Sequence, residues 1–347
     1  MPTLPVADLA HADMLVSAER IAAARARMAG KVHRTPMLSS ATAARVVEAV
    51  TGAHVAEGAI RLKAEHLQKT GSYKPRGMIA KLTTLAPDAR ERGVITISAG
   101  NAGAGYAYAG MVLGVPVTVV MPVSANPLKI AACRGYGANV ELRGMTFTES
   151  WDAMEALTLE RGLAFCHPYD DPEVIAGQGS VGLEILEDLP EVDLVVVGIG
   201  GGGLISGVAS AIGQARPETS IWGVEPDLAD GMRQGLAVGH PVRIEPHSVA
   251  DGLNGPYAGA WNVAAAQRFV KQVVLVDDAT ILSGLRFALE RTKQVLEPAG
   301  AAALAALLTG RIPVRDGDRV CVVLSGGNVD VGRLGEYIER AAPMPGL

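Results

Sequence analysis

Four places in this 347-residue chain carry groups that could do chemistry. Lys74 lies in "LQKTGSYKPRG" (67–77), directly behind Gly-Ser-Tyr and ahead of a proline, a setting no solvated surface lysine needs. Gly200, Gly201, Gly202 and Gly203 form an unbroken run in "GIGGGGLISG" (198–207). Asn101 lies in "SAGNAGAG" (98–105), and Ser325 opens "SGGNVD" (325–330). Each has an ordinary reading alone: a solvated charge, a tight turn, an Asx brace, a turn serine. Together they suggest a ligand cradle. The glycines leave backbone N–H groups unobstructed where a helix starts near Leu204, which makes a phosphate site.

The glycine run is not a Walker loop, because no Gly-Lys-Ser/Thr follows it. It does match GxGxxG at Gly198, Gly200 and Gly203, and Glu225 stands at the distance expected of a nicotinamide dinucleotide site. That reading explains only the glycines. A lysine amine can form a Schiff base with an aldehyde, a serine hydroxyl can meet a ring nitrogen, and an asparagine amide can hold a ring hydroxyl. With a phosphate loop added, the four features describe a pyridoxal phosphate site. Ser98, Ala99, Gly100 and Asn101 offer bare backbone amides suited to a substrate carboxylate.

The elements that must position these groups follow an alternating pattern. Apolar, β-branched runs at 94–98, 117–121, 139–142, 193–198, 221–225, 273–277 and 319–327 predict strands. Ala-rich or amphipathic segments at 102–113, 126–136, 173–188, 204–214, 279–295 and 299–309 predict helices. Near-continuous apolar strands belong to parallel sheets covered on both faces, so the expected class is doubly wound α/β. The three loops follow strands at 94–98, 193–198 and 319–324, beyond the carboxyl ends where such sheets bind ligands. The segment around 90–165 is expected to form a second sheet.

Composition narrows the partners. The net charge of −5, with no basic run, argues against nucleic acid. Cys133, Cys166 and Cys321 are odd in number and widely spaced, as reduced thiols of a cytoplasmic protein would be. Cys166 abuts His167, but sequence neighbours rarely pair as nucleophile and base, so packing is expected there. The uncharged stretch 194–212 approaches a membrane span in length, yet its four glycines break any continuous helix. No membrane segment is expected. The N-terminus lacks a basic head and apolar core, so no export leader is expected.

Eight blocks in order from about 34 to 330 give the chain a specific resemblance. They are "EHLQKTGSYKPRG", "TISAGNAGAGYAYA", "MPVSANPLKIAACRGYGANV", "DPEVIAGQGSVGLEIL", "VVVGIGGGGLISG", "GVEP", "LEPAGAAALAAL" and "LSGGNVD". The sequence resembles the serine/threonine dehydratase and serine racemase family, pyridoxal phosphate enzymes of fold type II with the tryptophan synthase β-like fold. That resemblance implies two open, twisted, mainly parallel sheets with helices on both faces. It implies a large cofactor-binding domain (1–88 and 168–347) and a small mobile domain (89–167). Lys74 would carry the cofactor and act as the base, and Tyr73 would flank the ring. Asn101 would hold the ring hydroxyl, Gly200 to Gly203 with Leu204 the phosphate, and Ser325 the pyridine nitrogen. Ser98 to Asn101 would receive the substrate carboxylate. Lys69 and Lys81, the rival lysines, lack that setting and should be solvated.

The implied activity is an ammonia-lyase that dehydrates threonine or serine to a 2-oxo acid plus ammonia, with a homodimer or higher homo-oligomer expected. Alternatives are a 3-hydroxyaspartate or phenylserine dehydratase, a serine racemase, and, through GxGxxG alone, a nicotinamide-dependent dehydrogenase. Departures from the family pattern matter. Ala102 stands where the family usually has His, which enlarges or dries that corner. Ala99 replaces the second serine of racemases. Glu225, Ala229 and Asp230 fall on the family's divalent-cation (Mg or Ca) positions, but Gly231 replaces the last acid. The chain runs only a short way past Asp330, so no C-terminal regulatory domain is expected.

Overall fold

The computed structural model describes residues 14–344. Residues 1–13, which carry part of the leader expectation, lie outside that range. The strands are β1 (Met37–Ser40), β2 (Ile60–Lys63), β3 (Val94–Ile97), β4 (Val117–Met121), β5 (Asn139–Leu142), β6 (Ala164–Phe165), β7 (Leu194–Gly198), β8 (Ser220–Pro226), β9 (Gln272–Val276) and β10 (Val320–Val323). They form a six-stranded sheet in the order β1-β2-β10-β7-β8-β9 and a four-stranded sheet in the order β5-β4-β3-β6. Every pairing is parallel except β1 with β2. Two mainly parallel sheets with helices on both faces are the expected fold class.

Side-chain alternation sends each strand into two cores. In β7, Leu194 and Val196 join the cluster under the helices Asp278–Phe287 and Pro298–Leu308. Val195 and Val197 face the opposite cluster, with Val181 and Ile185 of the helix Pro172–Asp188 and Leu204 to Ile212 of the helix Gly203–Ala215. The smaller sheet is sandwiched likewise. Val117, Val119 and Met121 pack towards the helix Asn101–Leu113, while Ile95, Ile97 and Val120 pack towards Phe147–Arg161.

The seven strands expected from sequence all form, and three more were missed. β1 and β2 are four residues each and carry polar side chains, among them Lys63, which is fully buried. β6 has two residues. The last expected strand ends early, at Val323, and Leu324 to Gly327 become the loop that reaches the site. The helix expected over 279–295 stops at Phe287; a π-turn follows at Ala288–Thr292, and Lys293 takes a left-handed backbone (φ 58°). The stretch 194–212 divides into β7, the glycine loop and a buried helix. Among the described residues no helix is long and apolar enough to cross a membrane.

Candidate active site

Lys74 directly precedes the helix Pro75–Leu82, whose proline occupies the first turn, where its missing N–H costs nothing. Its Nζ lies 3.4 Å from the Pro168 carbonyl and 5.0 Å from the Tyr73 ring centroid. The helix Asn101–Leu113 crosses close by: a Cβ at Gly105 would stand 2.9 Å from the Lys74 Cβ. Arg76, two residues on, locks the segment from below. Its guanidinium is 1 % exposed and donates to both oxygens of Glu65 (2.8 and 2.8 Å) and of Glu184 (2.7 and 2.9 Å). Burial opposes its charge, but the two carboxylates outweigh burial and raise its pKa.

The glycine run occupies the turn between β7 and the helix Gly203–Ala215. Gly202 has φ 97°, a left-handed conformation that a side chain resists. A Cβ on Gly201 would strike the Tyr169 ring at 2.5 Å. Among the described residues no acceptor takes the N–H groups from Gly200 to Ile205. Leu204 buries its side chain and offers this cradle only its N–H. Ser325 is buried, and its hydroxyl has a single long contact, 3.5 Å to the Ala299 carbonyl. In the loop after β3, Gly100 N–H donates to the Ser98 hydroxyl at 3.2 Å, while the N–H groups of Ala99, Asn101 and Ala102 find no acceptor among the described residues.

Tyr73, Lys74, Ser98 to Ala102, Gly200 to Gly203 and Ser325 line one cavity of about 420 Å³. An under-bonded hydroxyl, unclaimed N–H groups and glycines packed too closely for a Cβ fit a ring with an anionic tail. The residues present therefore suit pyridoxal phosphate.

One residue of the cavity went unassigned in the sequence. Glu297 is 3 % exposed and accepts from Asn101 Nδ2 at 2.6 Å, while Asn328 Nδ2 donates to Asn101 Oδ1 at 2.8 Å. Burial, with Asp251 adding repulsion, pushes the Glu297 carboxyl up to about 7. The amide of Asn101 is thus oriented at both ends. The signal was present: one acid heading the apolar run "EPAGAAALAAL".

Several expectations need correction. Lys81 is not solvated; it pairs with Asp171 at 2.5 Å, because its helix packs against Pro172–Asp188. Lys69 is exposed as expected. Glu225 is fully buried, and its oxygens accept from the N–H groups of Met232 (2.7 Å) and Arg233 (2.9 Å), so it offers nothing to a ribose. Burial raises its pKa to about 8 despite those two donors. The expected cation positions Glu225, Ala229 and Asp230 gain no support. Asp230 is tied to Arg233 and Gln234, Ala229 buries its methyl, and among the described residues no three acids, histidines or cysteines cluster. The three cysteines are free and buried, with burial raising the Cys166 thiol to about 12. His167 turns its Nε2 to the Tyr257 hydroxyl at 3.1 Å.

Comparison with known proteins agrees with this geometry. The pyridoxal-phosphate dependent enzyme family matches residues 28–326, and the chain belongs to that family. It is 40 % identical over 327 residues to an L-threonine ammonia-lyase of Thermotoga maritima, covering 94 % of this chain and 79 % of that protein. An L-threonine ammonia-lyase of Geobacter sulfurreducens is 44 % identical over 285 residues, covering 81 % and 70 %. Among solved structures, maize serine racemase superposes with a TM-score of 0.86 at 32 % identity, covering 94 % of this chain and 97 % of that one. A threonine deaminase from T.th. gives 0.81 at 39 % identity, covering 90 % and 99 %. The fold-type and family expectations are borne out, and the protein is a pyridoxal-phosphate dependent enzyme.

Proposed function

We propose that this enzyme is an ammonia-lyase that dehydrates a β-hydroxy amino acid of the threonine or serine type to a 2-oxo acid and ammonia. The observation that carries the reading is the single cavity shared by Lys74, the glycine loop and Ser325. When bound, pyridoxal phosphate supplies the electron sink for loss of the α-proton. Lys74 holds the cofactor covalently and, once released by the incoming amine, takes the α-proton at Nζ. The N–H groups from Gly200 to Leu204 hold the phosphate, reinforced by the positive end of the helix behind them. Ser325 offers the ring nitrogen an uncharged partner, and Asn101, braced by Glu297 and Asn328, addresses the ring hydroxyl. The loop Ser98–Asn101 receives the substrate carboxylate on its unclaimed N–H groups. The β-hydroxyl departs as water, and the freed enamine takes up water again to give the 2-oxo acid and ammonia.

Ala99 offers no hydroxyl for returning the proton from the opposite face, which favours elimination over racemisation. Our reading includes no divalent cation, because the oxygens of Glu225 are already engaged. It treats 89–167 as a small domain that moves against the rest, and the molecule as a cytoplasmic homo-oligomer. The test is to incubate the purified enzyme with L-threonine and L-serine and trap the 2-oxo acid. Lys74→Ala should abolish turnover and leave no borohydride-reducible bond between protein and cofactor. Retained turnover in that variant would show that the base is another residue.

A further inference from the structure

The same cavity has a second wall, which starts beside the glycine loop and runs out to the helix Phe147–Arg161. Phe147, Trp151, His167 and Tyr257 all line it and stand in a row. Ring centroids are 6.0 Å apart for Phe147 and Trp151, 6.4 Å for Trp151 and His167, and 6.3 Å for His167 and Tyr257. Phe147 remains 37 % exposed although Trp151 packs against it. His167 is uncharged by its bonding: Nδ1 accepts from the N–H of Asp170 (2.8 Å) and of Tyr169 (3.3 Å), so the proton sits on Nε2 and points at Tyr257. Burial pulls its pKa down to about 3. The Trp151 N–H is spent on Glu155 at 2.9 Å.

Among the residues that line the cavity, Lys74 belongs to the chemistry and Lys129 is ion-paired with Asp251. Arg243, outside that lining and exposed, donates to the Thr148 hydroxyl at 2.7 Å. Ala102 adds only a methyl to the same cavity. A second substrate carboxylate here would lose its water and meet no unpaired cation among the lining residues besides Lys74, which is costly. A flat apolar group would instead meet ring surfaces, with which it packs well. The hydrogen of serine or the methyl of threonine covers little of that surface.

We infer that Phe147, Trp151, His167 and Tyr257, in the cavity that the Ala102 methyl also lines, form the subsite for the β-substituent, and that it selects a bulky apolar or aryl group over methyl and over carboxylate. This rests on the proposed elimination and names its substrate class. For 3-phenylserine the α-proton and β-hydroxyl leave as water, and the enamine regains water and releases ammonia. The product is phenylpyruvate, with no oxidant or reductant consumed.

The experiment compares kcat/KM of the holoenzyme for serine, threonine, 3-phenylserine and 3-hydroxyaspartate by ammonia release. Phenylserine should exceed threonine, and should exceed 3-hydroxyaspartate by about tenfold or more. Ala102→Leu and Phe147→Ala should each lower the phenylserine-to-threonine ratio by about tenfold, the first by filling the space and the second by removing the wall. A wild-type preference for threonine over phenylserine, or a ratio unmoved in both variants, would overturn the inference and leave the lyase reading intact. No 2-oxo acid from any of the four would overturn the lyase reading itself.

Discussion

Replacing Arg76 by methionine tests how the catalytic lysine is held. The side chain is 1 % exposed and lies between Glu65 and Glu184, themselves 0 % and 3 % exposed. Lys63, also buried, bonds Glu184 at 2.6 Å and the Thr35 carbonyl at 2.7 Å. Two cations thus balance two carboxylates in a dry space. With Arg76 gone, Glu184 keeps Lys63, but Glu65 keeps only the Thr35 hydroxyl at 2.5 Å. Breaking a buried pair by removing one partner costs about 3–5 kcal/mol, mostly for the charge left behind. Unfolding entropy of about 2.1 cal/mol/K per residue sums to roughly 0.7 kcal/mol/K here, so the melting midpoint should fall by about 4–7 °C. The control is Arg76→Met with Glu65→Gln, which removes the stranded charge and should recover about half of the loss. Scanning calorimetry on the holoenzyme reads both. A fall below about 1 °C in the single variant, or no recovery in the double, would refute the argument that a stranded buried charge dominates.

Two further outcomes follow from the geometry. Gly201→Ala places a methyl 2.5 Å from the Tyr169 ring, so the cradle must open and cofactor affinity should fall about tenfold or more, read by equilibrium dialysis. Unchanged affinity would separate the loop from phosphate binding. Burial holds the Glu225 proton to about pH 8 in the fold, against 4.5 ordinarily. Between those values the fold binds a proton that the unfolded chain has released, so stability falls as pH rises through the window. From this group the melting midpoint should drop between about pH 4.5 and 8 and level off above, and the drop should be smaller in Glu225→Gln. Equal slopes in the two proteins would refute it.

The legible parts of the fold were those where one physical signal acts locally. β3, β4, β7 and β10 are buried along their whole length and spell it in β-branched residues. The glycine run was legible because so many missing side chains in one turn have few structural uses. Lys63 was illegible because a buried lysine is written like a surface one; only Glu184, far along the chain, explains it. Glu297, at the head of the helix Pro298–Leu308, and Asn328, after β10, gain meaning only when both meet Asn101 beyond β3. Glu225 misled because spacing fixed its place at the end of β8 but not the direction of its carboxyl group. That direction depends on the helix Gly231–Val238, whose first N–H groups it caps.

The strand order of the larger sheet carries a consequence for how its two halves are tied together. β10, the last strand among the described residues, lies between β2 and β7. Within the sheet, the antiparallel pair β1–β2 that leads into Lys74 therefore meets the glycine-loop half through β10, while the helices Pro75–Leu82 and Pro172–Asp188 tie the two halves from one face. A change that frays β10 therefore acts on the Lys74 side and the phosphate-cradle side at once, because β2 and β7 each lose a hydrogen-bonded neighbour.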